Sequence, residues 1–442
     1  MADGAASDDP AVQAQLDRLK ALSPGKDVLG LSRMVRLLDR LGNPQDAMPP
    51  VFHVAGTNGK GSTCAFLRTA IEAAGLRAHV YSSPHLVRFN ERIRLAGSLI
   101  EDTFLAEILC EVLDVNDCQA SFFEITTAAA FLAFARIPAD ACIVEVGLGG
   151  RLDATNVIQR PAVCGIAALG IDHEAFLLAP EDGAPTAPLP RIAWEKAGIA
   201  KPGVPLVVGR YEPAIASVLR RHAAATGSPL AERDFDWKCT IMAGHLDYRD
   251  RHGQLSLPLP TLAGAHQADN AALAIAMLRH QHAIAVPHHA LTDAMNRTHW
   301  PARLQRLNDG PMTSLAPAGS RIWLDGGHNA NAGEAIAAHF GGRTADLHLI
   351  VGMLANKDAA ALVGPLARSL ASISSVPVPG HDWHSAKAFA ACLPCGAPQV
   401  IFHEDVASAL AALPREKPMD ILIAGSLYLA GEVLRLNRQL PD

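Results

Sequence analysis

Residues 51–62, VFHVAGTNGKGS, run from an apolar stretch into a turn holding Gly56, Gly59 and Gly61 with one lysine, Lys60. Small residues there leave a row of backbone N–H groups open, and a helix that starts near Ser62 aims its positive end back at the turn. Both features favour a bound polyphosphate. Lys60 has the reach to meet β- and γ-phosphates. The spacing departs from G-x-x-x-x-G-K-[ST], because Gly56 and Gly59 stand close together and Gly61 separates Lys60 from Ser62. The plainer alternative is a glycine-rich turn with a solvated lysine.

Three further segments follow apolar runs. YSSPHL (81–86) offers Ser82 and Ser83, VEVGLGGRLDATN (144–156) offers Glu145, and LGIDHEAF (169–176) offers Asp172 and His173. Magnesium takes hydroxyl, carboxylate and water oxygens. One serine or histidine alone reads as structural. Their joint place at successive strand ends predicts a metal over one phosphate tail.

These groups need a scaffold that brings strand ends together. Apolar runs at Val51–Ala55, His79–Ser82, Ala141–Val146, Val163–Ala168 and Leu206–Val208 alternate with helical stretches. Residues 62–74 place Phe66, Leu67, Ala70, Ile71 and Ala74 on one face. Continuous apolar strands separated by helices predict an α/β fold with a mostly parallel sheet, whose ligands sit at the carboxyl ends of strands. A second alternation, with strands at Arg321–Leu324, Leu347–Val351, Ser372–Val376 and Ile421–Ala424, predicts a smaller C-terminal α/β domain. The expected layout is a disordered tail over 1–14, one domain over 15–298 and a second over 299–442. Residues 177–191 read as a proline-rich surface loop, and 228–260 as a small β-meander.

With 442 residues, more than one core is expected. A net charge of −6 gives no electrostatic footprint for nucleic acid. No apolar run is long enough for a transmembrane helix, and MADGAASDDP lacks the regions of a signal peptide, so a cytoplasmic protein is expected. The eight cysteines are scattered; only Cys392 and Cys395 form a C-x-x-C, and inert thiols are expected.

HVAGTNGKGST, YSSPHLVRFNERIR, FFEITTAAAFLAF, EVGLGGRLDATNVI, GIDHEAF, EKAGI, WPARLQ, LDGGHNANA and GSLYLAGEV occur in this order. Together they resemble the bacterial dihydrofolate synthase/folylpolyglutamate synthase family of the Mur-ligase superfamily, from about residue 15 to the end. The resemblance implies a P-loop-type ATP-binding domain, like the Mur central domain, plus a Rossmann-like C-terminal domain. It implies an ATP-dependent ligase that phosphorylates a substrate carboxylate and lets the amine of L-glutamate displace phosphate. Positioning and charge neutralisation dominate such chemistry. Water must be kept from an acyl phosphate, and closure of the second domain would do that.

By this resemblance Thr57, Asn58, Gly59 and Lys60 bind the ATP phosphates. Ser83 and Glu145 hold one Mg²⁺, and Glu145 with His173 a second. Asn270 contacts adenine, Arg303 reaches the phosphates from the second domain, and Asp325 and His328 lie on its ATP side. Lys196 corresponds to a carbamylated lysine; read alone, it is a solvated helix lysine. Val28, Leu29, Gly30 and Leu31, with Ser121, Phe122, Phe123, Glu124, Leu152, Asp153 and Ala154, form the pterin site. Phe122 and Phe123 suit stacking on a flat ring, although core aromatics look the same in sequence. Dihydropteroate, reduced folates and L-glutamate are the implied small-molecule substrates, and a monomer is expected.

The chain departs from the family pattern in places. Ala167-Ala168 replaces Thr-Ser, Trp194 stands in place of arginine before Glu195-Lys196, Ala302 replaces glycine, and the stretch between His173 and Lys196 is longer. Gly327 and Ala330-Asn331 also replace Ala and Pro-His around His328. Another Mur-type amino-acid ligase is the runner-up, against which SSPHLVRFNERI and FFE argue. A nucleotide-binding switch is the reading from another class; it needs fewer groups than Glu145, His173, Lys196, Arg303 and Asp325.

Overall fold

The computed structural model describes residues 5–22, 29–342 and 346–442. Val28, expected in the pterin segment, lies outside the described residues. The chain forms two compact units, one of Met1–Thr261 with Gln267–Thr298, the other of Leu262–His266 with His299–Asp442.

The first unit is built on an eight-stranded sheet of order β4-β3-β2-β5-β1-β6-β7-β8. Its strands are β1 (Val51–Ala55), β2 (Ala78–Tyr81), β3 (Ile93–Leu95), β4 (Ser98–Leu99), β5 (Ala141–Glu145), β6 (Val163–Ile166), β7 (Leu206–Val208) and β8 (Leu230–Glu232). The run from β2 to β8 is parallel, and the β2–β3 and β3–β4 pairings are antiparallel. β1 is buried at all five positions, as the uninterrupted apolar reading required. Its neighbours are β5 and β6, with Val54 opposite Glu145 and Ala55 opposite Ile166. That register brings the turns after β1, β5 and β6 to one edge of the sheet. Between β8 and the next helix lies the expected meander, a three-stranded antiparallel sheet of β9 (Trp237–Met242), β10 (His245–Asp250) and β11 (Gly253–Pro258).

Helix α1 spans Pro10–Ala21, so ordered structure begins earlier than the tail expected over 1–14. Asp9 accepts from the N–H groups of Ala11 and Val12, Pro10 occupies the first turn, and Val12, Leu16 and Leu19 are buried along one face. Ala5 is buried as well. α1 packs with α2 (Ser32–Arg40), α4 (Asp102–Asp114) and α5 (Phe122–Arg136) in one apolar cluster, while α3 (Lys60–Ala73) follows β1 directly. A second cluster gathers Ile166, Ile192, Ala197, Leu206 and Leu219. It receives a short helix α6 (Glu174–Leu177), then α7 (Pro188–Ala197) and α8 (Pro213–Thr226). The loop expected over 177–191 is therefore shorter, because Pro188 and Pro190 suit the start of α7. α9 (His266–His280) and α10 (His288–Arg297) close the unit.

The second unit holds a six-stranded sheet of order β12-β13-β17-β14-β15-β16, parallel except for β12. Its strands are β12 (Gln305–Arg306), β13 (Arg321–Asp325), β14 (Leu347–Val351), β15 (Leu370–Ser375), β16 (Val400–Phe402) and β17 (Asp420–Ala424). α11 (Ala330–Phe340) follows β13 and crosses α12 (Ala359–Val363) closely: a Cβ on Gly333 would stand 2.5 Å from Leu362 O. All eight cysteines are free, with Cys392 and Cys395 exposed. No helix among the described residues is long and apolar enough to cross a membrane.

That crossing sets where α11 sits behind the loop after β13. Gly333→Ala is expected to destabilise the second unit by roughly 1–3 kcal/mol through overpacking, read as a lower denaturant midpoint at unchanged slope. An unshifted midpoint would show that the crossing tolerates a methyl group.

Candidate active site

The turn after β1 enters α3 with Gly59 as its N-cap, at φ +81 and without a side-chain cap. The first amides of α3 thus keep their donors for a ligand, at the positive end of a 14-residue helix. Gly56 is at φ +155, and a Cβ on Gly59 would lie 2.2 Å from Asn270 Oδ1. Glycine is required at both, and Asn270 on α9 packs directly on the turn. Asn270 Nδ2 in turn donates to Gln267 Oε1 at 3.0 Å.

Thr57 and Asn58 are held from the other side. Their amides both donate to Ala168 O, at 2.8 and 3.1 Å. The Thr57 hydroxyl donates to Gly170 O at 2.9 Å and accepts from Gly170 N at 3.1 Å. Thr57 therefore braces the turn against the segment after β6. The Ala167-Ala168 departure removes hydroxyls but keeps this carbonyl anchor. Ser62, which the sequence reading passed over in favour of Ser83, is 1% exposed and its hydroxyl has no partner. A buried, unsatisfied hydroxyl on the third residue of the helix fits a phosphate or metal oxygen shell.

Two lysines converge on this turn. Lys60 Nζ donates to Gly56 O at 3.1 Å and to Thr57 O at 3.4 Å. Lys196 Nζ, from the last turn of α7, donates to the same Gly56 O at 2.9 Å. Lys196 is 4% exposed, and is no solvated lysine. Burial, and then the nearby charge of Lys60, push its amine down to about 7. Its place is fixed by close backbone contact, since a Cβ on Gly150 would stand 2.9 Å from Glu195 O and 3.0 Å from Lys196 Cα.

At the neighbouring strand ends, Ser83 N donates to buried Glu145 Oε2 at 3.4 Å, bringing the first proposed metal pair together. His173 is exposed, at φ +53, and begins α6. Among the described residues no three His, Cys, Asp or Glu side chains cluster as a metal site. Beside a single carboxylate such as Glu145, a divalent ion here would draw on hydroxyl, phosphate and water oxygens. Buried Asp153 shapes its own loop, accepting from Leu148 N at 2.8 Å, Thr155 N at 3.0 Å and the Thr155 hydroxyl at 2.5 Å. Burial raises its carboxyl above the usual range. Because Thr155 donates to Asp153, His53 Nε2 must donate to Thr155, at 2.8 Å. Burial holds that histidine neutral, with its pKa near 3.

The segments expected to bind pterin do gather. Leu31 and Phe123 pack on the apolar cluster that contains Phe122 and Ala154. Leu29 and Gly30 are half-buried just before α2, and Leu152 is half-buried beside Asp153. Phe122 is buried, as the core reading had it, while Phe123 keeps exposure and lies flat against Gly147, whose Cβ would be 2.3 Å from the ring. Glu124 is buried in a capping box: its Oε2 accepts from Ser121 N at 2.7 Å and Ser121 Oγ accepts from Glu124 N. It also pairs with Arg33 at 3.0 Å. The structure thus engages Ser121 and Glu124 in starting α5.

In the second unit, Arg303 sits between two non-glycine residues of positive φ, Ala302 at +54 and Leu304 at +44. Asp325 supports this strained loop: its Oδ2 accepts from Leu304 N at 2.8 Å and its Oδ1 from Gly327 N at 2.7 Å. Gly326 N donates to Ala302 O at 2.9 Å, and His328 Nδ1 lies 3.1 Å from Gly326 O. Arg303, Asp325 and His328 therefore share one loop cluster. Asp325→Ala is expected to lose this brace and cost about 1–3 kcal/mol, from two unpaired amides. Ala302→Gly should match or exceed the parent in thermal stability, since glycine accepts that φ freely. A clear stability loss in the glycine variant would contradict the assigned strain.

The C-terminal domain described as that of dihydrofolate synthetase matches residues 311–436. A folylpolyglutamate synthase of Lacticaseibacillus casei is 33% identical, covering 91% of this chain and 92% of that protein. The dihydrofolate synthase/folylpolyglutamate synthase of Escherichia coli is 32% identical, covering 92% and 91%. Among solved structures, E. coli FolC in complex with DHPP and ADP superposes with a TM-score of 0.82 at 30% identity, covering 96% of this chain and 97% of that one. A bifunctional folylpolyglutamate synthase/dihydrofolate synthase with Mn, AMPPNP and L-glutamate bound gives 0.80 at 29% identity, covering 96% and 97%. With two α/β units, a lysine-bearing turn at a helix N-terminus and similarity over nine-tenths of its length, this chain belongs to the folylpolyglutamate synthase/dihydrofolate synthase family.

Proposed function

We propose that this chain joins L-glutamate to the carboxylate of dihydropteroate and of reduced folates, using ATP and a divalent ion. Membership of the family makes it an ATP-dependent acid–amino-acid ligase. The observation that carries the assignment to this site is the meeting of Lys60 and Lys196 at Gly56 O, beside the uncapped start of α3. The Lys60 ammonium and the uncapped helix start together favour an anion, and a polyphosphate tail answers that charge.

In this reading the amides of Gly59 and of the first turn of α3 hold the phosphates, and Lys60 turns from the Gly56 carbonyl to the transferring group. Asn270, stacked on the turn, borders the nucleotide base. Ser83 and Glu145 would hold a divalent ion, and Glu145 with His173 a second, while Ser62 in the first turn of α3 offers a further hydroxyl. Such an ion supplies neutralisation of phosphate charge. Arg303, Asp325 and His328 form one loop cluster within the second unit. The substrate carboxylate oxygen attacks the γ-phosphorus and ADP leaves. The glutamate amine then attacks the acyl carbon, phosphate departs with that oxygen, and the amine proton is lost to solvent.

Lys196 fits carbamylation chemically, because a buried amine with a pKa near 7 is substantially neutral. It adds to CO₂, loses a proton and becomes an anion, which suits a metal better than an ammonium group does. Phe123, half-buried against Gly147, is the ring for stacking on the pterin, while Phe122 is buried in the core.

Lys60→Ala is expected to lower glutamate-dependent ADP formation at least a hundredfold, as loss of a charge-stabilising donor does, with the circular dichroism spectrum unchanged. Turnover near the parental rate would remove the turn from the mechanism. Lys196→Ala should be nearly inactive in plain buffer and regain part of its rate with added formate or acetate. Full activity without an added carboxylate would argue against a carbamate.

A further inference from the structure

Segment 178–187 meets α7 in a cluster of two arginines, two glutamates and a tryptophan. Arg191, with a side chain only 5% exposed, stands at its centre. Its Nε donates to Leu177 O at 3.1 Å, and its Nη2 to Ala179 O at 3.4 Å and Glu181 Oε2 at 3.0 Å. It also pairs with Glu195, four residues on, at 3.1 Å. Arg151 closes the cluster from the loop after β5, reaching Glu181 at 2.6 Å and Glu195 at 3.1 Å. The guanidinium carbons of Arg151 and Arg191 lie 4.3 and 4.6 Å from the centroid of the Trp194 ring.

These contacts surround the last turn of α7. Arg151 N donates to Glu195 O at 2.8 Å, one residue before Lys196. α7 has ten residues, and the end of so short a helix frays unless something holds it. Glu181 is 41% exposed, so its ion pair by itself contributes little. Arg191 is different. It is buried, and its Nε and Nη2 reach two carbonyls and two carboxylates from two separate nitrogens, a spacing that one ammonium group does not reproduce, while its buried Nη1 has no partner.

We infer that Arg191 is a positioning residue: it ties segment 178–187 to the last turn of α7 and so holds Lys196 at the phosphate turn. The effect on turnover rests on the ligase reading above; the effect on α7 does not. Arg191→Ala and Arg191→Lys are both expected to lower kcat roughly 10–100-fold, as loss of a group supporting a site ligand does. KM for ATP should stay within about threefold, because the nucleotide contacts are untouched. Glu181→Gln should act in the same direction and more weakly. Raised bicarbonate should recover part of the rate in the arginine variants, which general destabilisation would not allow.

Hydrogen exchange supplies the independent readout. Amides of residues 192–198 should exchange faster in the Arg191 variants, with amides of β1 and β5 unchanged. Parental exchange at 192–198 overturns the inference whatever the kinetics, and so does acceleration spread evenly over the first unit. If the unmutated chain forms no ADP in the presence of glutamate, the ligase reading falls and exchange alone decides the role of Arg191.

Discussion

Two lysine side chains donate to one carbonyl, that of Gly56, at the end of the central strand of the first unit. One of them is buried. Like charges repel, and burial penalises the charge on Lys196, so this arrangement persists only where surrounding structure dictates it. Much of the first unit serves that end. Register between β1, β5 and β6 aligns three turns, and Ala168 O and Gly170 fix the lysine-bearing turn from one side. Asn270 fixes it from the other. Gly150 admits the backbone of Lys196 at a distance no larger residue permits.

The same constraint explains the division of labour among polar groups. Thr57, Asp153, Ser121 and Glu124 are engaged by local backbone groups and shape their loops, while Glu124 Oε1 keeps no partner. The Ser62 hydroxyl has no partner, and the start of α3 has no side-chain cap. In the second unit Asp325 plays a shaping part too, holding Leu304 and Gly327 in a strained loop whose Arg303 Nη1 donates back to Ala302 O.

Much of this was legible in the sequence, for physical reasons. A strand buried on both faces leaves an uninterrupted apolar run, so β1, β5, β7 and β14 were readable to within a residue. A glycine-rich turn with a lysine before a helix declares an anion site whatever its exact spacing. The start of α1 was missed because the small acidic residues before Asp9 outweighed the cap signal and the spacing of Val12, Leu16 and Leu19. The burial of Lys196 was legible only through family resemblance. Its partners, Gly56 and Gly150, are 140 and 46 residues away, and periodicity sees only neighbours. Arg191 went unnoticed for the same reason: an arginine in a proline-rich stretch reads as solvated until Glu181, Glu195 and Arg151 close around it. Glu124 fitted a substrate role in sequence, whereas S-x-x-E before an apolar run is also a capping box, and the structure uses it so.

The central claim is that this site activates a carboxylate by transferring phosphate to its oxygen. Dihydropteroate carrying ¹⁸O in its carboxylate tests it directly, with ATP, Mg²⁺ and L-glutamate in unlabelled water. The account predicts that each inorganic phosphate released with product carries one ¹⁸O from the substrate carboxylate. Unlabelled phosphate accompanying amide formation would contradict it.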